Sequence, residues 1–158
     1  MDTHHGPVEA LDADTVAIAV EVLRRDGLAA LLDLIAMLPA RDKAPSDARL
    51  RAERPGYAEF SDAKVHRCSG AMYAAMGLEL TSRPDRLGEL AALDVPTLVV
   101  VGAEDRDFLA AAERMGGAIP GAHHVVIPDA AHSPQFEHPE AWWAAVSTFL
   151  AAEVPATR

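Results

Sequence analysis

Two short loops carry residues whose types suit proton transfer. The first is Gly102-Ala103-Glu104-Asp105-Arg106-Asp107 and the second is Asp129-Ala130-Ala131-His132-Ser133-Pro134, each following an apolar run. Asp105 and His132 stand 27 residues apart. A carboxylate that accepts a hydrogen bond from imidazole fixes the ring's tautomer and stabilises the imidazolium formed when the ring takes a proton. Such a pair serves general acid–base chemistry, and beside a hydroxyl or thiol it serves nucleophilic catalysis. Spacing alone leaves a second reading open, that of two solvated loop residues near strand ends. Asp107 is the reserve acid if the turn shifts register, and Glu104 reads as a solvent-facing carboxylate.

The rest of the sequence offers no convincing nucleophile. Ser69, in Cys68-Ser69-Gly70, is the only serine next to a glycine, and it falls within an expected helix. Ser133 is adjacent to His132 rather than opposite it, and Cys68 shares a helical phase with Met72 and reads as core. His4, His5, His66, His123, His124 and His138 form no ligand pattern, so no metal is expected. The adjacent His123 and His124 should point to opposite faces of a strand. Trp142 and Trp143 read as divided between core and a partly exposed face, and Glu113 and Arg114 as a solvated helix face. Met72, Tyr73 and Met76 read first as helix packing and second as the lining of a substrate pocket.

The elements that must position Asp105 and His132 are short. Thr97-Leu98-Val99-Val100-Val101, between Pro96 and Gly102, is a continuous β-branched run and predicts a strand buried on both faces of a parallel sheet. A helix is predicted from Phe108 to Ala118, then a turn at Pro120-Gly121, then a strand from His124 to Ile127, joined by a right-handed crossover. Reactive groups in such sheets gather at the carboxyl ends of the strands, where both loops lie. Pro139 opens a last helix with Trp142, Val146, Phe149 and Leu150 as its buried side.

The part before Pro96 is helical and free of strands. Asp14 precedes a helix over about Thr15 to Asp26 that buries Val16, Val20 and Leu23, with Gly27 as its stop. Leu28, Leu31, Leu32, Ile35 and Leu38 form the stripe of a second helix ended by Pro39. Arg41 to Pro55 reads as a mobile connection in which Ser46 caps a short helical piece. Val65, Cys68, Met72 and Met76 predict a third helix from Tyr57 to Met76, closed by Gly77. Pro84 lies near the start of a further one, with Leu87, Leu90 and Leu93.

The chain has 158 residues, 14 basic and 24 acidic side chains, a formal net charge of −10 and a single cysteine. This length suits one globular domain. The acidic balance argues against nucleic acid and against an anionic membrane surface as partners, since both select basic patches. One cysteine forms no internal disulfide, no stretch is apolar enough to span a membrane, and residues 1–7 lack the order of a secretion signal. The cytoplasm is the expected compartment.

The run Val95-Pro96-Thr97-Leu98-Val99-Val100-Val101-Gly102-Ala103-Glu104-Asp105 is followed by Ile119-Pro120-Gly121-Ala122, Val126-Ile127-Pro128, His132-Ser133-Pro134 and His138-Pro139-Glu140. In order and spacing these motifs resemble the C-terminal end of the α/β-hydrolase superfamily. The resemblance implies that Asp105 and His132 are the acid and histidine of a nucleophile-acid-histidine triad. Met1-Asp2-Thr3 with Gly6-Pro7 resembles the end of the core strand that precedes the family's helical cap.

The implied fold is α/β, a partial α/β-hydrolase fold with few parallel strands, flanking helices and an N-terminal helical cap. Residues 1–11 would be the strand end and entry loop, 12–82 the cap and 83–158 the C-terminal core segment. The implied activity is hydrolysis of an ester or similar small carbonyl substrate, without a cofactor. Two features depart from the family. The nucleophile elbow G-x-S-x-G and the oxyanion-hole loop have no counterpart in these residues, and Asp129 and Ala131 stand where the family favours glycine. The expectation is therefore a triad incomplete within this chain, active only when joined or paired with a separate half that carries the nucleophile. The alternative is a non-catalytic truncated remnant that binds a ligand or self-associates through an open sheet edge.

Overall fold

The structure is a computed structural model describing residues 4–38 and 42–153. Its elements in chain order are α1 (Ala13–Met37), α2 (Pro45–Glu53), α3 (Tyr57–His66), α4 (Gly70–Ser82), α5 (Leu87–Leu90), β1 (Leu98–Gly102), α6 (Leu109–Ala118), β2 (His123–Ile127), α7 (Pro134–Glu137) and α8 (Pro139–Glu153). They fall into two units, residues 4–5, 44–50 and 85–153 in one, and residues 6–38, 42–43 and 51–84 in the other.

In the first unit the two β-branched runs pair in parallel, with Leu98 opposite His123 and Gly102 opposite Ile127. Among the described residues the sheet has only these two strands. Helix α6 connects them and packs on both, while α8 packs on β2. Burial is therefore concentrated at the carboxyl end, where Val101 is 4% and Ile127 1% exposed. Leu98, Val99 and Val100 are half-buried, so the expected burial of the whole run on both faces is corrected: the thin sheet leaves the rest uncovered. His123 sets its ring edge-on against Phe149 of α8, and His124 packs against Gly116 of α6, so the two do point to opposite faces. Helix α8 buries none of its residues fully, and Leu150, expected inside, is 45% exposed.

In the second unit α1 packs along α4 around Val20, Leu23, Leu31 and Ala74. Asp12, not Asp14, caps α1, its carboxylate accepting a hydrogen bond from Thr15 N at 2.8 Å. Gly27 interrupts the helix with φ 86° and ψ 176°, a backbone that glycine alone adopts easily, so α1 is two helical pieces that meet at the expected stop. The second stripe is inward only in its first part: Leu31 is buried and Leu28 and Leu32 half-buried, whereas Ile35 and Leu38 are exposed. Pro39, expected to end that piece, lies outside the described residues, as does the expected strand end at residues 1–3.

The expected third helix is two helices. Ser69 ends the break by capping α4 with its hydroxyl toward Met72 N. This resets the helical phase, so Tyr73, Ala74 and Leu78 face α1, Met72 and Met76 are exposed, and Cys68 lies outside both helices. Gly77 is interior to α4, beside Val16 and Val20 of α1, rather than a terminator. The expected mobile connection contains α2, with Ser46 in its first turn. Residue-specific anchors described below hold that turn in place.

Candidate functional site

The two loops leave the same end of the sheet. After β1 the chain turns at once: Ala103 N donates to Ile127 O at 2.9 Å, Glu104 N to Ala130 O at 2.9 Å, and Asp105 N back to Gly102 O at 3.1 Å. Phe108 N and Leu109 N then donate to Asp105 O and begin α6. After β2, Asp129 takes a left-handed backbone with φ 50°, a conformation a short polar side chain tolerates better than most. Ala131, the other position where glycine was expected, keeps a negative φ. Ala130 and Ala131 are buried against the first loop, and His132 follows.

This brings together the two residues that sequence placed 27 positions apart. His132 Nδ1 lies 2.9 Å from Asp105 Oδ2. The aspartate side chain is 13% exposed and the imidazole 49%, so the acid is shielded while the base reaches solvent. With Nδ1 committed to the carboxylate, proton transfer to a reactant falls to Nε2. The ring of Phe108 stands tilted against the imidazole at 5.0 Å, and His4 meets Phe108 edge-on at 5.9 Å. Asp105, not the reserve acid Asp107, faces the imidazole.

Several residues read as bland from sequence hold this site. Glu104 is half-buried rather than solvent-facing: it accepts from Ser46 N at 2.8 Å, and hydrogen bonding from Ser46 keeps its carboxyl below the ordinary glutamate value. Arg49 of α2 donates through Nη2 to Asp129 O at 3.0 Å and to Glu137 O at 2.9 Å, tying down both ends of the histidine loop. His138 Nδ1 contacts Pro128 O at 2.8 Å. Glu137, only 8% exposed, directs one carboxyl oxygen at the loop, where it accepts from Ala131 N at 2.6 Å and Ser133 N at 3.2 Å.

A second histidine–carboxylate pair lies in the same unit. His5 Nδ1 is 2.8 Å from Asp85 Oδ1, and Arg114 Nε donates to His5 Nε2 at 2.9 Å. A guanidinium only donates, so Nε2 is the acceptor and the ring proton sits on Nδ1. The pair is closed at its far nitrogen and anchors His5 rather than serving as a base. Arg114, expected on a solvated face, is thus part of a partly buried contact. Asp85 is held below the ordinary aspartate range, first by the Leu87 N–H and then by His5.

The weak nucleophile candidates have contacts of their own in the structure. Ser69 is occupied as a helix cap and, with Cys68, belongs to the other unit; Ser133 follows His132 with its backbone N–H directed at Glu137. Among the described residues no three histidine, cysteine or acidic side chains converge as metal ligands.

Burial pushes the Glu137 carboxyl above the ordinary glutamate value, against the two backbone N–H bonds, and the charges of Asp47 and Glu104 push the same way. The native state then holds this proton more tightly than the unfolded chain does. The stabilisation is complete below about pH 4 and is lost as pH rises through the raised native value. Glu137→Gln keeps an acceptor oxygen and removes the titration. Melting curves across that window should show the variant gaining on the native chain as pH rises, and a difference that stays flat would contradict the assignment.

The sequence pattern of the Alpha/beta hydrolase family matches residues 5–146. Among solved structures the chain is similar to a thermophilic esterase from Thermogutta terrifontis, at 28% identity and TM-score 0.72 over 95% of this chain and 53% of that one. It is similar to the enol-lactonase from Burkholderia xenovorans LB400 at 25% identity and TM-score 0.65, over 87% and 50%. A bromoperoxidase from Bacillus anthracis shares the fold at 20% identity and TM-score 0.64, over 89% and 50%. The chain thus spans about half the length of the solved structures it matches, and no curated protein sequence matches it. The two parallel strands and their loops are part of an α/β-hydrolase fold, and the chain belongs to the alpha/beta hydrolase family.

Proposed function

We propose that the chain supplies the acid and base of a hydrolase acting on esters or similar small carbonyl substrates. The observation that carries this reading is the 2.9 Å contact between a shielded Asp105 and a half-exposed His132 at the carboxyl end of a parallel sheet. A serine hydroxyl from outside these 158 residues attacks the carbonyl. His132 takes its proton and returns it to the leaving group, while Asp105 orients the ring and stabilises the imidazolium. Likeness to an esterase and an enol-lactonase supports the substrate class. The reaction written this way calls for no cofactor. Residues 12–82 are read as the helical cap, and 83–158 as the C-terminal core segment.

A second reading is a non-catalytic module that binds a small ligand or self-associates through its sheet edge. It is favoured by the lack of G-x-S-x-G in the sequence and by the unpaired edge that each strand keeps among the described residues. In either case the proposed partners are a small molecule and either a separate nucleophile-bearing half or a second copy, in the cytoplasm. The acidic charge favours neither nucleic acid nor an anionic membrane. Among the described residues no helix is long and apolar enough to cross a membrane.

Short-chain p-nitrophenyl esters discriminate between the readings. The 158-residue chain should leave them at the buffer rate, whereas the longest in-frame polypeptide that contains it, carrying G-x-S-x-G, should hydrolyse them. Turnover by the 158 residues alone that depends on His132 would place the nucleophile within them. A frame without the motif and without turnover would leave the binding module.

A further inference from the structure

We infer that Glu137 is the positioning residue for His132. Its buried Oε2 gathers the two backbone N–H groups that flank the histidine and so fixes the imidazole against Asp105. The inference rests on the reading of His132 as the proton acceptor.

The local sequence explains how the contact is built. Pro134 occupies the first turn of α7, and Phe136 N and Glu137 N both donate to Ser133 O, at 2.8 and 3.0 Å. That single helical turn carries the residue-137 side chain back over the loop it has just left. One oxygen then receives Ala131 N at 2.6 Å and Ser133 N at 3.2 Å, so the amides of the residues before and after His132 share one acceptor. Arg49 clamps the Glu137 and Asp129 carbonyls, at the two ends of the same loop, and leaves the flanking amides to the carboxyl.

Burying a carboxyl beside Asp47 and Glu104 is unfavourable. An apolar residue in its place would leave two inward N–H groups unpaired, each a further cost. A side chain held at that expense, bonded to the loop on both sides of the base, acts by holding the ring's position. Small displacements matter here, because proton transfer needs the imidazole within hydrogen-bond reach of both its carboxylate and its reactant.

The test is proton NMR of the 158-residue chain, observing the low-field Nδ1–H of His132, assigned by its loss in Asp105→Asn and in His132→Gln. Glu137→Gln offers an oxygen to both amides and should keep the signal. Glu137→Leu should lose it while the β1 and β2 amides, such as those of Val100 and Val125, keep their shifts. Glu137→Asp, which retains charge and withdraws the oxygen by one methylene, should lose it as well and serves if the leucine variant does not fold. A native-intensity signal in Glu137→Asp or Glu137→Leu would overturn the role of Glu137. A native chain that shows no signal dependent on Asp105 would overturn the Asp105–His132 pair, and with it this inference.

Discussion

Replacing His132 with alanine in the active hydrolase should lower kcat for p-nitrophenyl esters by about 10⁶, nearly the loss from removing a whole triad. The imidazole makes its decisive bond only as the proton moves, so the loss should fall on kcat and leave KM close to its native value. Asp105→Asn should cost about 10⁴, because an amide in place of the carboxylate no longer holds the Nδ1–H tautomer although it occupies the same space. The two losses should not add, since the residues act as one unit through a 2.9 Å contact. Steady-state kinetics on both single variants and the double variant check all three statements. A loss under tenfold for His132→Ala would move proton transfer to another group, and additive losses would show that the aspartate acts independently of the ring.

The placement of the two loops was legible because it depends on local signals at the ends of two strongly patterned strands. A β-branched run closed by glycine places its following loop at a sheet end, so Asp105 and His132 could be put at one end of a sheet, while their choice as a pair came from the resemblance to the hydrolase family. The supports were not legible, since their partners are distant in sequence. Ser46 finds Glu104 58 positions away, and Arg49 finds Glu137 88 positions away. Nothing in the polar composition of residues 41–55 announces either contact, and the segment read as mobile for that reason. Glu137 left a fainter trace, a proline three residues before an acid, which is one helical turn and enough to return a carboxyl to the preceding loop. The split between α3 and α4 was hidden by apolar residues that continue the helical spacing through a serine whose hydroxyl caps a new start. There a local hydrogen bond outweighed a periodic pattern that had no core to face. The incomplete burial of β1 and of Leu150 on α8 has a different cause: a sheet of two strands among the described residues gives their apolar side chains little to pack on.

Gly102→Ala should be the most damaging single-methyl change in the first unit. Gly102 is the last residue of β1, opposite Ile127, and the histidine loop crosses directly over it. A Cβ built there would run into the carbonyl oxygens of Ala130 and Ala131. Both obstacles are backbone atoms, so no rotamer change relieves the clash. Neither is free to retreat: Ala130 O accepts from Glu104 N, and Ala131 N is held by Glu137. Relief requires the two loops to part, which breaks these bonds and carries His132 away from Asp105. Overpacking of this kind costs about 3 kcal/mol or more, roughly 6 to 12 °C in melting temperature for a chain of this length. Gly88→Ala, where the added methyl meets open space on the short helix α5, is the control for losing a glycine as such. Thermal melts of the two variants should separate widely, and in the active hydrolase only Gly102→Ala should depress kcat. A Gly102→Ala chain melting with the control would mean that the acid and histidine loops do not cross as closely as the 2.9 Å bond between Glu104 N and Ala130 O requires.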